Sequence, residues 1–292
     1  MSHSDSRDLA PGDEIAPGRR IIEPLGRGER YQTYLAFDDH LLTQVVAKVL
    51  RADRRDDRRA RRGLTAEAQL VASVRHPVIV RDFGVRRDGP WPHLLLEHLE
   101  GPALSSLLRR HGPLPLAQLV PLAVQLGSAL HYLRREGLVH LDIKPRNIIM
   151  GAPPRLIDLS VAHTTARAAQ LDHPVGTDAY MAPEQCRPTP AVPVGPPADI
   201  WGLGVTLFEA VAGRRAWPDV DGYPQTVDGP GMLPPDTPMP LVEVIFACLD
   251  RDPAARPEAA ELVDAVEPLL AAIPRRPVLS RLRPRLVGAG RR

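Results

Sequence analysis

Residues 140–150, HLDIKPRNIIM, place an acid, a base and an amide on one short loop between two apolar runs. GLVH before it and IIM after it read as two short β elements, so Asp142, Lys144 and Asn147 share the connection and can converge on one point. A carboxylate, an ammonium and a carboxamide at this spacing suit phosphoryl transfer, in which a protein does little covalent chemistry and mostly positions groups and neutralises charge. Asp142 would take the proton of an attacking hydroxyl. Lys144 would offset charge gathering on the transferring phosphate, and Asn147 would offer a hard oxygen to a magnesium ion. An isolated loop of this kind is more often a polar cap on two strands, so the weight falls on what the rest of the chain brings to it.

The elements that must position these groups can be read in order. Residues 1–18 are rich in Ser, Asp, Pro and Gly without periodicity and read as a disordered leader, with the fold beginning at Arg19. RRIIEPLGRGERYQTYLAFD alternates apolar and polar residues about GRG, a hairpin with a glycine turn in which Gly26 and Gly28 let the backbone approach a phosphate. QVVAKVL is an apolar strand interrupted by Lys48, whose ammonium needs a partner if it is buried. RADRRDDRRARRG carries seven arginines and three aspartates between residues 51 and 62 and reads as a solvated face. LTAEAQLVASVRHP then has Leu64, Ala68, Val71 and Val74 at helical spacing, with Glu67 in its first turns as the natural partner of Lys48. VIVRDFGVRR and WPHLLLEHLEG are two further strands.

From Ala103 the pattern turns helical, through ALSSLLRRHG and LPLAQLVPLAVQLGSALHYLRREG. PRLIDLS is a short strand ending in Asp158, a second hard-oxygen donor. ADIWGLGVTLFEAVAG is an apolar helix opened by Asp199 as an N-cap. The Pro-rich stretches 187–197 and 217–240 read as surface loops, and residues 273–292 as a basic disordered tail.

Composition sets the outer limits. A net charge of +2 gives no bulk case for nucleic acid or an acidic membrane as partner. Cys186 and Cys248 cannot build a disulfide framework, the first residues lack a signal-peptide pattern, and no uninterrupted apolar run approaches a membrane span, so a cytoplasmic setting is expected.

With GRGERYQT, Lys48, Glu67, HLDIKPRN, DLS at 158–160, GTDAYMAPE at 176–184, Asp199 and DRDPAARP around Arg256 all in place, the chain resembles eukaryotic-like (Hanks-type) bacterial serine/threonine protein kinases over residues 19–270. The resemblance implies an α+β, bilobal kinase domain at 19–272, with a small β-rich N-lobe carrying one main helix (19–98) and a larger α-helical C-lobe (102–272). It implies transfer of the γ-phosphate of ATP, with Mg²⁺ or Mn²⁺, to serine or threonine hydroxyls of protein substrates, with a homodimer open. The alternative is a nucleotide-binding pseudokinase acting as a regulatory scaffold, and a small-molecule phosphotransferase ranks last.

Carried over position by position, ATP would lie against Leu25, Gly26, Arg27, Gly28, Thr33, Ala47, Lys48, Glu67, Leu96, Glu97, Leu99 and Ile149. Ala47 would roof the adenine, Leu96 would be the gatekeeper, and main-chain groups of Glu97 and Leu99 would meet the adenine edge. Asp142, Lys144, Asn147 and Lys48 form the catalytic set, and Asn147 and Asp158 would hold the metal. His140 would pack structurally. Thr164, Thr165 and Thr177 lie on an activation segment, with Thr177 bonding Asp142 and Lys144, while Glu184 pairs with Arg256 and Asp199 holds the catalytic-loop backbone. Four positions depart from the family pattern. Tyr31 replaces the third glycine and Thr33 a valine, which implies a stiffer, bulkier phosphate loop. Leu141 replaces an arginine that grips an activation-segment phosphate, and Ser160 replaces a glycine, which implies restricted flipping of the 158–160 segment.

Overall fold

The computed structural model describes residues 8–220 and 222–273. Six antiparallel strands form one sheet in the order β1-β2-β3-β4-β6-β5: β1 (Glu14–Ala16), β2 (Arg19–Arg27), β3 (Tyr31–Asp38), β4 (Thr43–Leu50), β5 (Asp82–Arg86) and β6 (His93–Glu97). Helix α1 (Arg58–Ser73) lies against one face of the sheet. The rest is mainly helical: α2 (Leu104–His111), α3 (Leu116–Arg135), α4 (Thr165–Ala168), α5 (Pro183–Cys186), α6 (Pro196–Ala212), α7 (Met239–Cys248) and α8 (Ala259–Ala272). This is the α+β architecture expected, a strand-rich part followed by a helical one.

Period-two alternation assigns the faces of β4. Val45, Ala47 and Val49 join Leu9, Ile15, Ile21 and Tyr34 in an outer cluster, whereas Leu50 packs in the main core with Leu64 and Ala68 of α1. Two expectations are thereby corrected. Ala47, placed over the adenine, faces away from α1 and Lys48, and Val46 occupies the Lys48 face instead. The disordered leader fails from Asp8 onward: β1 pairs with β2, Leu9 and Ile15 are buried, and the Leu9 amide donates to the Tyr34 hydroxyl at 3.2 Å. These apolar residues come singly, without a period to betray a strand. Residues 1–7 and the tail from Pro274 lie outside the described residues.

Helix α1 also starts earlier than its apolar spacing suggests. Asp57 caps it, accepting from the amides of Arg59 (2.7 Å) and Ala60 (3.3 Å), so the arginine run forms its first turns and Glu67 sits mid-helix.

Across the sheet from this helix, His93 is fully buried; its Nδ1 bonds the Trp91 carbonyl and its Nε2 faces the Arg19 guanidinium, which also holds Asp38. Burial first, and then the neighbouring Arg19 and Arg86 charges, push the imidazole down to about 4, against the partial opposition of the Trp91 bond and Asp38. Because the unfolded imidazole binds its proton near 6.5, the unfolded chain holds more protons between these values, and stability falls as pH is lowered from 6.5 towards 4. The loss is at most about 3 kcal/mol. Denaturation curves across this range should show a slope that His93→Gln flattens; an unchanged slope would contradict the assignment.

In the helical part, α3 passes through the core, with Leu119, Leu122, Leu126 and Leu130 buried against α6 and α8. It is long and apolar enough for a membrane span, but half of its apolar window is buried inside the domain. The two runs flanking the 140–147 loop are indeed strands, β7 (Leu138–Val139) and β8 (Ile148–Ile149). They do not pair with each other. β8 pairs with β9 (Arg155–Leu156), and β7 pairs with β10 (His163–Thr164), so the loop hangs between two small ladders.

Candidate active site

The loop is pinned from below. Asp199 is not the cap of α6, which begins after Gly195; its two oxygens accept instead from the amides of His140 and Leu141, both at 2.7 Å. Gly202, one turn along α6, lets the helix approach Ile143: a Cβ there would sit 3.0 Å from the Ile143 Cβ and 3.1 Å from its carbonyl oxygen. His140 is fully buried and its Nδ1 accepts from the Asp142 amide, the structural role expected of it.

On this base the polar groups converge. Lys144 Nζ donates to Asp142 Oδ2 at 2.7 Å, and Asn147 Nδ2 donates to the same oxygen at 3.0 Å and to the Asp142 carbonyl at 2.9 Å. Thr177, distant in sequence, donates its hydroxyl to Asp142 Oδ1 at 2.7 Å and accepts from Lys144 Nζ at 2.6 Å. Gly176, with φ +132, is what allows this approach, since a Cβ there would meet the Leu141 carbonyl at 2.7 Å. Gln185, which the sequence reading passed over, clamps the same region by donating to the Leu141 (3.0 Å) and Val175 (2.9 Å) carbonyls. Its position directly after APE, at the start of a one-turn helix, was the available signal.

The opposite wall comes from the sheet. Lys48 Nζ donates to Glu67 Oε1 and Asp158 Oδ1, both at 2.7 Å. Burial works against all three charges. For Lys48 the two carboxylates outweigh it and the pKa is raised, and for Asp158 the Lys48 ammonium outweighs it and the carboxyl is held well below the usual carboxylate range. Burial prevails at Glu67, which is raised. Asp158 takes a left-handed backbone, φ +68, and its side chain remains about a third exposed. Gly26 of β2 pairs with Thr33 of β3 and Thr33 with Lys48 of β4, so the glycine and this lysine lie at the same level of the sheet with one strand between them.

Oxygen chemistry decides whether a metal would fit. Both amide hydrogens of Asn147 are used on Asp142, which leaves its side-chain oxygen as the acceptor, and Asp158 Oδ2 has no hydrogen bond among the described residues. Two hard oxygen donors of this kind suit Mg²⁺ or Mn²⁺.

At the far end of the cleft Glu97 has more partners than foreseen. Its carboxylate accepts from the Arg81 amide at 2.6 Å and from the Arg81 and Arg155 guanidiniums, and its own amide donates to the Arg81 carbonyl at 3.0 Å. That amide is therefore not free for an adenine edge. Leu96 is buried on the same strand, Leu25 is half exposed on β2, Ile149 bridges to Ala103, and Leu99 packs on the main core. Arg27 turns outward to Asp8.

Glu184 and Arg256 form a bidentate, fully buried pair at 2.7 and 2.8 Å, with the guanidinium over the Trp201 ring. Thr164 and Thr165 stand apart from this network. The Thr164 hydroxyl caps α4, the Thr165 amide donates to the Gly137 carbonyl, and the nearby Leu141 side chain is buried in the core. Replacing both threonines by alanine should therefore change phosphotransfer less than threefold in a steady-state assay; a loss beyond about tenfold, or 1.4 kcal/mol of barrier, would show that a phosphate there matters.

A family model described as "Protein kinase domain" matches residues 19–266. The probable serine/threonine-protein kinase PkwA of Thermomonospora curvata is 34% identical over 265 residues, which is 87% of this chain and 35% of that protein. Serine/threonine-protein kinase PknA of Mycobacterium tuberculosis is 33% identical over 252 residues, 82% of this chain and 57% of the relative. Serine/threonine-protein kinase pkn2 of Myxococcus xanthus is 30% identical over 281 residues, covering 88% and 33%. The chain thus spans between a third and just over half of the length of these relatives.

Proposed function

The chain belongs to the protein kinase family, and from that premise we propose that it transfers the γ-phosphate of ATP to a serine or threonine hydroxyl of a protein substrate. The observation that carries the reading is the Thr177 hydroxyl resting on Asp142 Oδ1 at 2.7 Å: the carboxylate already accepts an aliphatic hydroxyl of the kind a substrate would present. Asp142 takes the proton of the incoming hydroxyl as its oxygen forms the bond to the γ-phosphorus, while the bond from that phosphorus to the bridging oxygen breaks and ADP leaves with the electron pair. Lys144, bonded to both Asp142 and Thr177, keeps positive charge beside the developing phosphate charge. Lys48 directs an ammonium at the nucleotide phosphates, with Glu67 fixing its direction. Asn147 and Asp158 would hold Mg²⁺ or Mn²⁺, which supplies charge neutralisation across the phosphates when bound.

No observation favours the scaffold reading; the bonds of Asp142 to Lys144, Asn147 and Thr177 and of Lys48 to Glu67 and Asp158 support the transfer reading. The proposed setting is cytoplasmic, in keeping with two buried, unpaired cysteines. The test incubates the full chain with γ-labelled ATP, Mg²⁺ and a generic protein substrate beside Asp142→Asn and Lys48→Met. Label on serine or threonine that depends on both residues is expected. Equally low labelling in all three, with nucleotide still raising Tm, would overturn the proposal.

A further inference from the structure

Tyr31 stands where the glycine loop of the family has its third glycine, yet it is buried rather than spread over the cleft, at 8% exposure. It opens β3, pairs with Leu50, and shares the main core with Leu50, Ala60, Leu64 and Ala68. The Lys48 ammonium lies 4.8 Å from its ring centroid. The ring tip reaches α1 at Gly63, where an added Cβ would lie in van der Waals contact with the phenol oxygen at 3.5 Å.

A lysine ammonium has three donors. Two go to Glu67 and Asp158, and the third is left for a phosphate oxygen, with the aromatic face 4.8 Å from the nitrogen. We propose that Tyr31 is a positioning residue: it fixes the Lys48 ammonium and the α1 helix in one arrangement by packing between them. Burial, with the Glu67 charge beside it, pushes the phenol up to about 12, so the ring meets Lys48 as a neutral π face at working pH. The hydroxyl makes no hydrogen bond among the described residues, so the aromatic face is the operative feature.

This rests on the proposed phosphotransfer but can be read separately from it. Tyr31→Phe, Tyr31→Leu and Tyr31→Gly are compared with the wild-type full chain by MgADP Kd in calorimetry, by KM for ATP and kcat, and by Tm. Phe should stay within twofold of wild type throughout. Leu fills the core without a π face, so Kd and KM should rise about tenfold with kcat within threefold. Gly should bind no better than Leu, although it restores the family residue. Leu within twofold of wild type in Kd and KM would overturn the proposal, as would a Leu variant that loses kcat alone, or a Gly variant that binds tighter than wild type. A wild type that binds MgADP but transfers nothing would sink the proposed activity and leave the Kd comparison standing.

Discussion

Asp142→Asn should lower kcat by about 10²–10⁴-fold while leaving Tm and nucleotide affinity near those of wild type. The substitution keeps the shape of the side chain and removes its charge and basicity. Lys144 and Asn147 both donate to Oδ2, so the amide oxygen must keep that place and the new NH₂ group takes the place of Oδ1. There it can donate to the Thr177 hydroxyl, reversing a bond that now runs the other way. The network survives with one polarity inverted, and what disappears is the acceptor for a substrate proton. Single-turnover phosphotransfer beside a thermal melt checks both halves. A variant with more than a tenth of wild-type kcat would remove Asp142 from the role of base.

Arg256→Met should cost about 3–5 kcal/mol of stability, the largest effect expected of any position remote from the cleft. Arg256 and Glu184 are almost completely buried, so removing the cation leaves a carboxylate with nothing to balance it. The same change loses donors to the carbonyls of Pro197 and Asp250 and the stacking on Trp201. For a domain of this size the loss corresponds to a fall in Tm of about 6–20 °C. Adding Glu184→Gln should recover part of it, because the orphaned charge goes too. Glu184 lies in α5, a few residues beyond Thr177, so the single variant should also lose activity. A fall in Tm of under 2 °C would mean that the pair contributes nothing measurable.

What the sequence disclosed and what it hid divide along physical lines. Lys48 is a charge inside an apolar strand, costly to bury without a partner, and so announced its pairing with Glu67; the Glu184–Arg256 pair and the hold of Asp199 on the catalytic-loop backbone were legible only through the family resemblance, and the structure supplies all three. The side taken by Ala47 was legible and misread: it is the neighbour of Lys48 on an alternating strand, so it faces the other way, into the outer cluster, and Val46 shares the Lys48 face. Helix α1 began early because an aspartate cap, not an apolar stripe, fixes its start. The strand at Glu14–Ala16 was missed because three residues carry no period, and the Arg81–Glu97–Arg155 cluster because its members meet only in the folded chain. Tyr31 was recognisable as a departure from the glycine pattern. That its ring turns inward onto Lys48 required the packing of α1.

The central claim is that the oxygens of Asn147 and Asp158 hold one metal–nucleotide with Lys48 on its phosphates. Titration of Mn²⁺ in the presence of ADP, followed by electron paramagnetic resonance, tests it most directly. Wild type should bind one Mn²⁺ per chain only when nucleotide is present, and Asp158→Asn and Asn147→Leu should each weaken that binding at least tenfold with the fold intact. Binding of equal strength in wild type and both variants would contradict the account.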